Sequence, residues 1–282
     1  MSSSPSAAAR LGTADQRSSD GTRTAAVAVS AVVAVVGGFL GSGAVVGTPI
    51  AQAAGGALSA SSTLVAPAGP AFAIWSVVYA GLVALAVHQL LPSQRHDERQ
   101  RATGWWVVAS LLLNAAWILV VQAGSVLGSL VAILALLAVL VVAFSRLRST
   151  ASSRRGGARS SLQPLLLDGV IGLYLGWVSI ATVANASAAL VAGGAPATGA
   201  LATALAVVVL VVAAGVGWVL AVAGRGRVAP ALSLAWGLAW IAVGRWSGQP
   251  EAPVVSVVAV VAAVLVLAAP LVVRARGVRP AA

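Results

Sequence analysis

Val126-Leu-Gly-Ser-Leu-Val-Ala-Ile-Leu-Ala-Leu-Leu-Ala-Val-Leu-Val-Val-Ala-Phe144-Ser145 carries no charge along its length and stops at Arg146 and Arg148. A helix crossing a hydrocarbon core of about 30 Å needs roughly 20 mostly apolar residues. A barrel strand would be about half as long and would alternate polar with apolar positions. This run does not alternate, so it reads as a spanning α-helix whose backbone hydrogen-bonds are satisfied internally in lipid.

Working outward, seven further runs of the same kind occur, at about 24–47, 70–91, 104–122, 164–191, 199–222, 229–246 and 253–273. The whole chain is 60% hydrophobic and only 8% charged, with a mean hydropathy of +0.99. A soluble domain carries about a quarter charged residues, so lipid must be the solvent for most of this surface. The fold class implied is all-α: a polytopic transmembrane helical bundle of eight spans.

The loops between the runs alternate in charge. Arg10, Arg17 and Arg23 precede the first run, and residues 48–69 hold no Arg. Arg95, Arg99 and Arg101 follow the second run, and none follows the third. Arg146, Arg148, Arg154, Arg155 and Arg159 follow the fourth, and none follows the fifth. Arg225 and Arg227 follow the sixth, and Arg274, Arg276 and Arg279 the eighth, leaving Arg245 as the single Arg on the other side. The positive-inside rule then places both termini in the cytoplasm. All seventeen basic residues are Arg, which with the Ala, Val and Gly richness points to a GC-rich bacterial genome and a bacterial cytoplasmic (inner) membrane.

The net charge of +11 is dispersed in short clusters rather than one basic face, which argues against nucleic acid as a partner. Cys is absent, excluding disulfides and thiolate chemistry. Residues 1–22 read as a disordered cytoplasmic tail and 149–161 as a flexible loop. Arg23, the first run and Ala51-Gln52-Ala53 together resemble a cleavable signal sequence. The run, at about 24 residues, is longer than the 7–15 of a signal's apolar core, which favours a retained helix.

Against this aliphatic background three polar-aromatic islands stand out. In the second run Phe72, Trp75, Tyr79, Val83 and Ala86 share one helical face. In the third, Trp106, Ser110, Asn114 and Trp117 do the same; in the fifth, Tyr174, Trp177, Ala181 and Ala184/Asn185 form a stripe opposite Asp168, Gly172, Ser179 and Thr182. Trp105 and Trp246 fit the interfacial belt. Asn114 and the mid-span Trp177 need partners in lipid, either on another helix or on a ligand. Three such stripes describe a pocket for a flat apolar molecule with a polar edge.

Pro67-Ala-Gly-Pro-Ala-Phe72-Ala-Ile-Trp75-Ser-Val-Val-Tyr79 resembles the proline-glycine-aromatic opening of the second helix in the TspO/MBR family, which includes tryptophan-rich sensory proteins and the mitochondrial translocator protein. Leu112-Leu-Asn114-Ala-Ala-Trp117 resembles its Asn-x-x-Trp signature, and Leu175-Gly-Trp177-Val-Ser-Ile-Ala181-Thr182-Val-Ala-Asn185 its fifth-helix Trp-x-x-x-Ala-Thr-x-x-Asn stretch. The resemblance covers about residues 24–192. It implies a five-helix core (23–192) with a pocket open toward the first loop, and a homodimer. It also implies binding of porphyrins such as protoporphyrin IX, with no required cofactor. Trp75 and Trp177 match family positions that line the pocket and are implicated in light-dependent porphyrin breakdown; Tyr79, Asn114, Trp117 and Ala181 match neighbouring ones. The chain departs from the family pattern where its first loop lacks capping aromatics and where Ala-Ser-Ala-Ala after Asn185 completes no sterol-type motif. Residues 193–282, with three additional helices and a basic tail, have no counterpart in that core.

Other readings compete. Asp168, the only acid inside an apolar run, would be the proton-coupling group of a secondary transporter for a small apolar or amphipathic solute. A membrane enzyme acting on porphyrin or lipid is a third reading, for which the chain offers no acid–base pair and no catalytic residues. A haem-ligating role for His88 is outweighed by that of an interfacial polar residue. Asp97, Glu98, Arg99 and Arg101 read as a solvated loop, Trp236/Trp240 as helix packing, and Gly37, Gly38, Gly41, Gly43, Gly215 and Gly217 as close helix contacts.

Overall fold

A computed structural model describes residues 7–41, 43, 48–150 and 162–277 of the chain. Among these, regular structure is helical throughout: α1 (Ala7–Gly41), α2 (Ile74–Leu90), α3 (Glu98–Gln122), α4 (Val126–Ser149), α5 (Leu162–Ala192), α6 (Gly199–Ala223), α7 (Ala229–Ser247) and α8 (Pro253–Ala275), with short 3₁₀ turns at Ala53–Gly56 and Gly69–Ala73. The helix boundaries follow local chemistry. The Asp97 carboxylate caps α3 by accepting from the backbone N–H groups of Arg99 and Gln100 at 2.9 and 3.2 Å. Ser125 caps α4 through Gly128 N–H at 3.1 Å. Proline opens α7 and α8, where a missing N–H is no loss.

Among the described residues, seven helices are long and apolar enough to cross a membrane. The helix α7 is not among them, although an eighth span is expected at about 229–246. Its Pro230, Trp236, Trp240 and Arg245 dilute the apolar run, and packing explains how this is tolerated. Helix α7 is wedged between α5 and α8, so more than half of its residues face protein rather than lipid.

Around this wedge, α3 lies between α1 and α4, α4 packs on α5, α2 rests against α1 and α5, and α6 closes on α8. In lipid, helix association depends on close packing and polar contacts rather than on the hydrophobic effect. The α5–α7 seam uses small residues for this purpose. A Cβ at Gly176 would fall 2.1 Å from the Pro230 carbonyl oxygen, and one at Gly237 would fall 2.5 Å from Ile180 Cγ2.

Two expectations at the Arg-rich end are overturned. Helix α1 already runs from Ala7, so the tail expected to be disordered over 1–22 is helical for most of its length. Arg99 and Arg101 are not a solvated loop: they lie in the first turn of α3, and Arg99 is buried. Arg99 grips the Asp168 carboxylate at 2.7 and 2.8 Å, and Arg227 joins it at 3.1 Å. Arg101 and His96 both bind the buried Asp20, and Arg23 reaches the Arg95 carbonyl at 2.6 Å. Charges near the helix ends therefore pair across α1, α3, α5 and the α6–α7 turn. The loop expected to be flexible over 149–161 lies, from residue 151 on, outside the described residues.

Candidate ligand-binding site

The three polar-aromatic islands converge. Phe72, in the 3₁₀ turn before α2, meets Trp177 edge-on with centroids 5.7 Å apart. Trp75 stacks on Tyr79 at 5.5 Å and meets Trp177 and Tyr174 edge-on at 6.2 and 5.9 Å. Edge-to-face and offset-stacked rings of this kind each contribute about 0.5–1.5 kcal/mol beyond their buried area, and they fix ring orientation. Pro70 opens the 3₁₀ turn ahead of α2, where its missing N–H is no loss.

The cluster walls a cleft of two lobes. The inner lobe is a narrow cavity of about 40 Å³, and Phe72, Trp75, Asn114, Trp117, Trp177, Ala181 and Asn185 all line it. The outer lobe, about 490 Å³, adds Tyr79 and Ser76 of α2 and Val35, Gly38 and Phe39 of α1. Ile50, Leu58, Phe72, Trp75, Asn114 and Trp117 belong to both walls, so the lobes adjoin. Tyr174 lines neither lobe. It is completely buried behind Trp75 and donates its hydroxyl proton to the Ser110 carbonyl at 3.3 Å, which makes it a support for the wall.

The polar groups divide by role. Asn114, 1% exposed, donates its amide to the Tyr79 hydroxyl at 2.5 Å and so ties α3 to α2 while it faces the cleft. The Asn185 side-chain oxygen accepts from Trp117 Nε1 at 3.2 Å and from Ser129 Oγ at 3.0 Å, joining α3, α4 and α5. Its amide nitrogen donates to the Ala181 carbonyl at 3.0 Å. Trp177 differs: it is 1% exposed and lines the inner lobe, yet its indole N–H meets no acceptor among the described residues. A buried donor left unpaired is unfavourable by about 1–3 kcal/mol, so a ligand oxygen or nitrogen reaching this atom would recover that deficit.

Sequence reading missed the rest of the wall. Helix α4 contributes Ile133 and Leu136, and the first loop contributes Ile50, Ala57, Leu58, Ser59, Ser62, Ala66 and Pro67. The loop thus covers the inner lobe with aliphatic and small side chains in place of aromatics. Nothing in its Ala/Gly/Ser composition marks it as a lid. The Gly172-Leu-Tyr-Leu-Gly176 spacing on α5 was the available signal for the seam beneath the pocket.

Asp168 lies outside both lobes, on a π turn (Leu165–Gly169) at the start of α5. Its oxygens are engaged by Arg99 and Arg227, which gives it a cross-linking role between α3, α5 and the α6–α7 turn. His88 is buried on α2 away from the cleft, and no cluster of metal-ligating side chains occurs among the described residues. Trp105 and Trp246, 49% and 67% exposed, project outward as belt residues do.

A protein-family model described as TSPO-like protein matches residues 26–272. The match runs beyond the five helices of the resemblance and takes in α6, α7 and most of α8. No curated protein and no solved structure matches the chain.

Proposed function

The chain belongs to the TSPO-like protein family, and from that premise we propose that it binds a porphyrin or a similar flat aromatic molecule in the cleft between α2, α3 and α5. The observation that carries this reading is the unpaired indole N–H of Trp177 in the narrow inner lobe, beside an aromatic-walled outer lobe of about 490 Å³. Small-molecule sites are commonly about 300–1,000 Å³, mostly apolar, with a few placed polar groups. Trp75 and Phe72 supply ring faces and edges, Trp177 a donor, and Asn114 a fixed amide at the junction of the lobes.

The biological output we assign is sensing, carriage or photoprotective handling of such a ligand in a membrane, a bacterial cytoplasmic membrane on the composition of the chain. Porphyrin breakdown under light would draw on Trp75 and Trp177. The transporter reading is weaker, because the Asp168 carboxylate is occupied by two guanidinium groups and stands apart from the cleft.

Titration of the purified protein with protoporphyrin IX tests the proposal. Saturable quenching of Trp emission is expected; emission that does not change at saturating porphyrin would refute it. Illumination of the complex, with Trp75→Phe alongside, separates binding from turnover.

A further inference from the structure

Arg245 is the one Arg at the Arg-poor end, and it is among the most completely buried side chains of the protein, at 1% exposure. Among the described residues no carboxylate pairs with it. Its guanidinium is directed at backbone oxygens instead: Nη2 donates to Ala60 at 2.7 Å and to Gln249 at 3.4 Å, and Nη1 donates to Pro250 at 3.1 Å and to Thr63 at 3.3 Å. Ala60 and Thr63 belong to the first loop, whose Ser59, Ser62, Ala66 and Pro67 cover the inner lobe. Gln249 and Pro250 belong to the turn between α7 and α8. One planar fork therefore joins the cover of the pocket to the last two helices.

Two more bonds run the same way. Ala68 N–H donates to the Trp240 carbonyl at 3.1 Å, and Trp236 Nε1–H donates to the Ala71 carbonyl at 2.9 Å. Trp236 and Trp240 brace each other edge-on at 5.6 Å. All three attachments start from α7, and they hold the loop at residues 60, 63, 68 and 71, on both sides of the pocket-lining Ala66 and Pro67.

We propose that α7 is the clamp of the pocket lid and that Arg245 is its positioning residue. The loop has few large side chains with which to hold itself down, and α7 supplies the missing anchorage from outside the binding core. Arg suits the task because its fork offers several donors in fixed geometry, whereas Lys offers a mobile point charge. Desolvating an unpaired guanidinium is tolerable only where carbonyl dipoles surround it. Ligand exchange then requires breaking these bonds, so Arg245 governs how long a ligand stays rather than how it is recognised. That last statement rests on the binding proposal above; the clamp itself does not.

The chain has no cysteine, so single reporters are clean. In the full-length protein, Ala66→Cys places a thiol in the buried pocket wall, and Ala86→Cys places one in buried α2 as a control. Arg245→Met is expected to raise the rate of N-ethylmaleimide modification at position 66 by about tenfold or more, with Arg245→Lys intermediate and position 86 unchanged. Trp236→Phe, which deletes a single attachment, should raise it several-fold and serves if Arg245→Met does not fold. The dissociation rate of protoporphyrin IX should rise in parallel with labelling at position 66. Equal labelling with and without Arg245, or equal acceleration at positions 66 and 86, would overturn the clamp. If the wild-type chain binds no porphyrin while position 66 still responds, the binding proposal fails and the clamp stands.

Discussion

Two side chains carry most of the residue-level argument, and both are defined by whether they have partners. Trp177 lacks one. Replacing it by Phe keeps a ring against Phe72 and Trp75 but removes the donor, so porphyrin affinity should fall by about three- to tenfold, the worth of one neutral hydrogen bond. Fluorescence titration reads this directly, and an unchanged Kd would mean the ligand leaves that indole nitrogen alone. Asp168 is the opposite case, with two partners and 12% of its side chain exposed. Asp168→Leu strands the buried Arg99 without its counter-charge. We expect a loss of about 3 kcal/mol, the low end for a broken buried pair because some water still reaches it. The thermal midpoint in detergent should drop, and Arg99→Leu added to Asp168→Leu should recover part of the loss. Porphyrin affinity should be nearly unchanged by either substitution, since Asp168 lies outside both lobes. Proton-dependent uptake abolished by Asp168→Asn with the fold intact would revive the transporter reading.

At the scale of elements, the seam between α5 and α7 is the most demanding contact, because Gly176 lies against a backbone carbonyl that cannot rotate away. Gly176→Ala should destabilise the protein by about 1–3 kcal/mol, as overpacking does. Gly215→Ala on α6, where a Cβ meets nothing within 4 Å, should leave the thermal midpoint unchanged or higher. Equal behaviour of the two variants would contradict this account of the seam. The comparison also shows why some elements were legible in the sequence and others were not. Trp75, Asn114 and Trp177 stand out because indoles and amides are rare among Ala, Val and Leu, and their spacing of three and four places them on single faces. Ile133 and Leu136 are invisible by the same logic, since α4 is apolar on every side and offers no periodicity to read. The lid is invisible because small residues in a loop carry no pattern until something holds them. Pairs such as Arg99 with Asp168 and Asp20 with Arg101 lie far apart in the chain, so charge alone described Arg99 and Arg101 as solvated and left their partners unseen. Eight helices were countable from loop charge, but the interior position of α7 was not, because hydropathy reports apolarity and not what a helix touches.

At the scale of the whole molecule, the question is whether the last three helices are an appendage or part of the binding unit. The family match runs to residue 272, and the Gly176 seam, the Arg245 fork and the Trp236 and Trp240 bonds all cross between the two parts. The Arg227 guanidinium adds a further crossing at the Arg-rich end, through Asp168 and over the Phe144 ring at 5.7 Å. Helices that insert independently can assemble afterwards when packing and polar contacts are complementary. A chain divided in the loop between α5 and α6, expressed as residues 1–195 and 196–282, should therefore reassemble and co-purify. The second fragment holds the lid over the inner lobe at residues 60, 63, 68 and 71, so porphyrin retention should require both. The first fragment alone should release protoporphyrin IX at least about tenfold faster than the pair, matching the loss of the same carbonyl-directed bonds that Arg245→Met removes. Retention by residues 1–195 equal to that of the intact chain would separate the three helices from ligand handling, and it would leave α7 as packing alone.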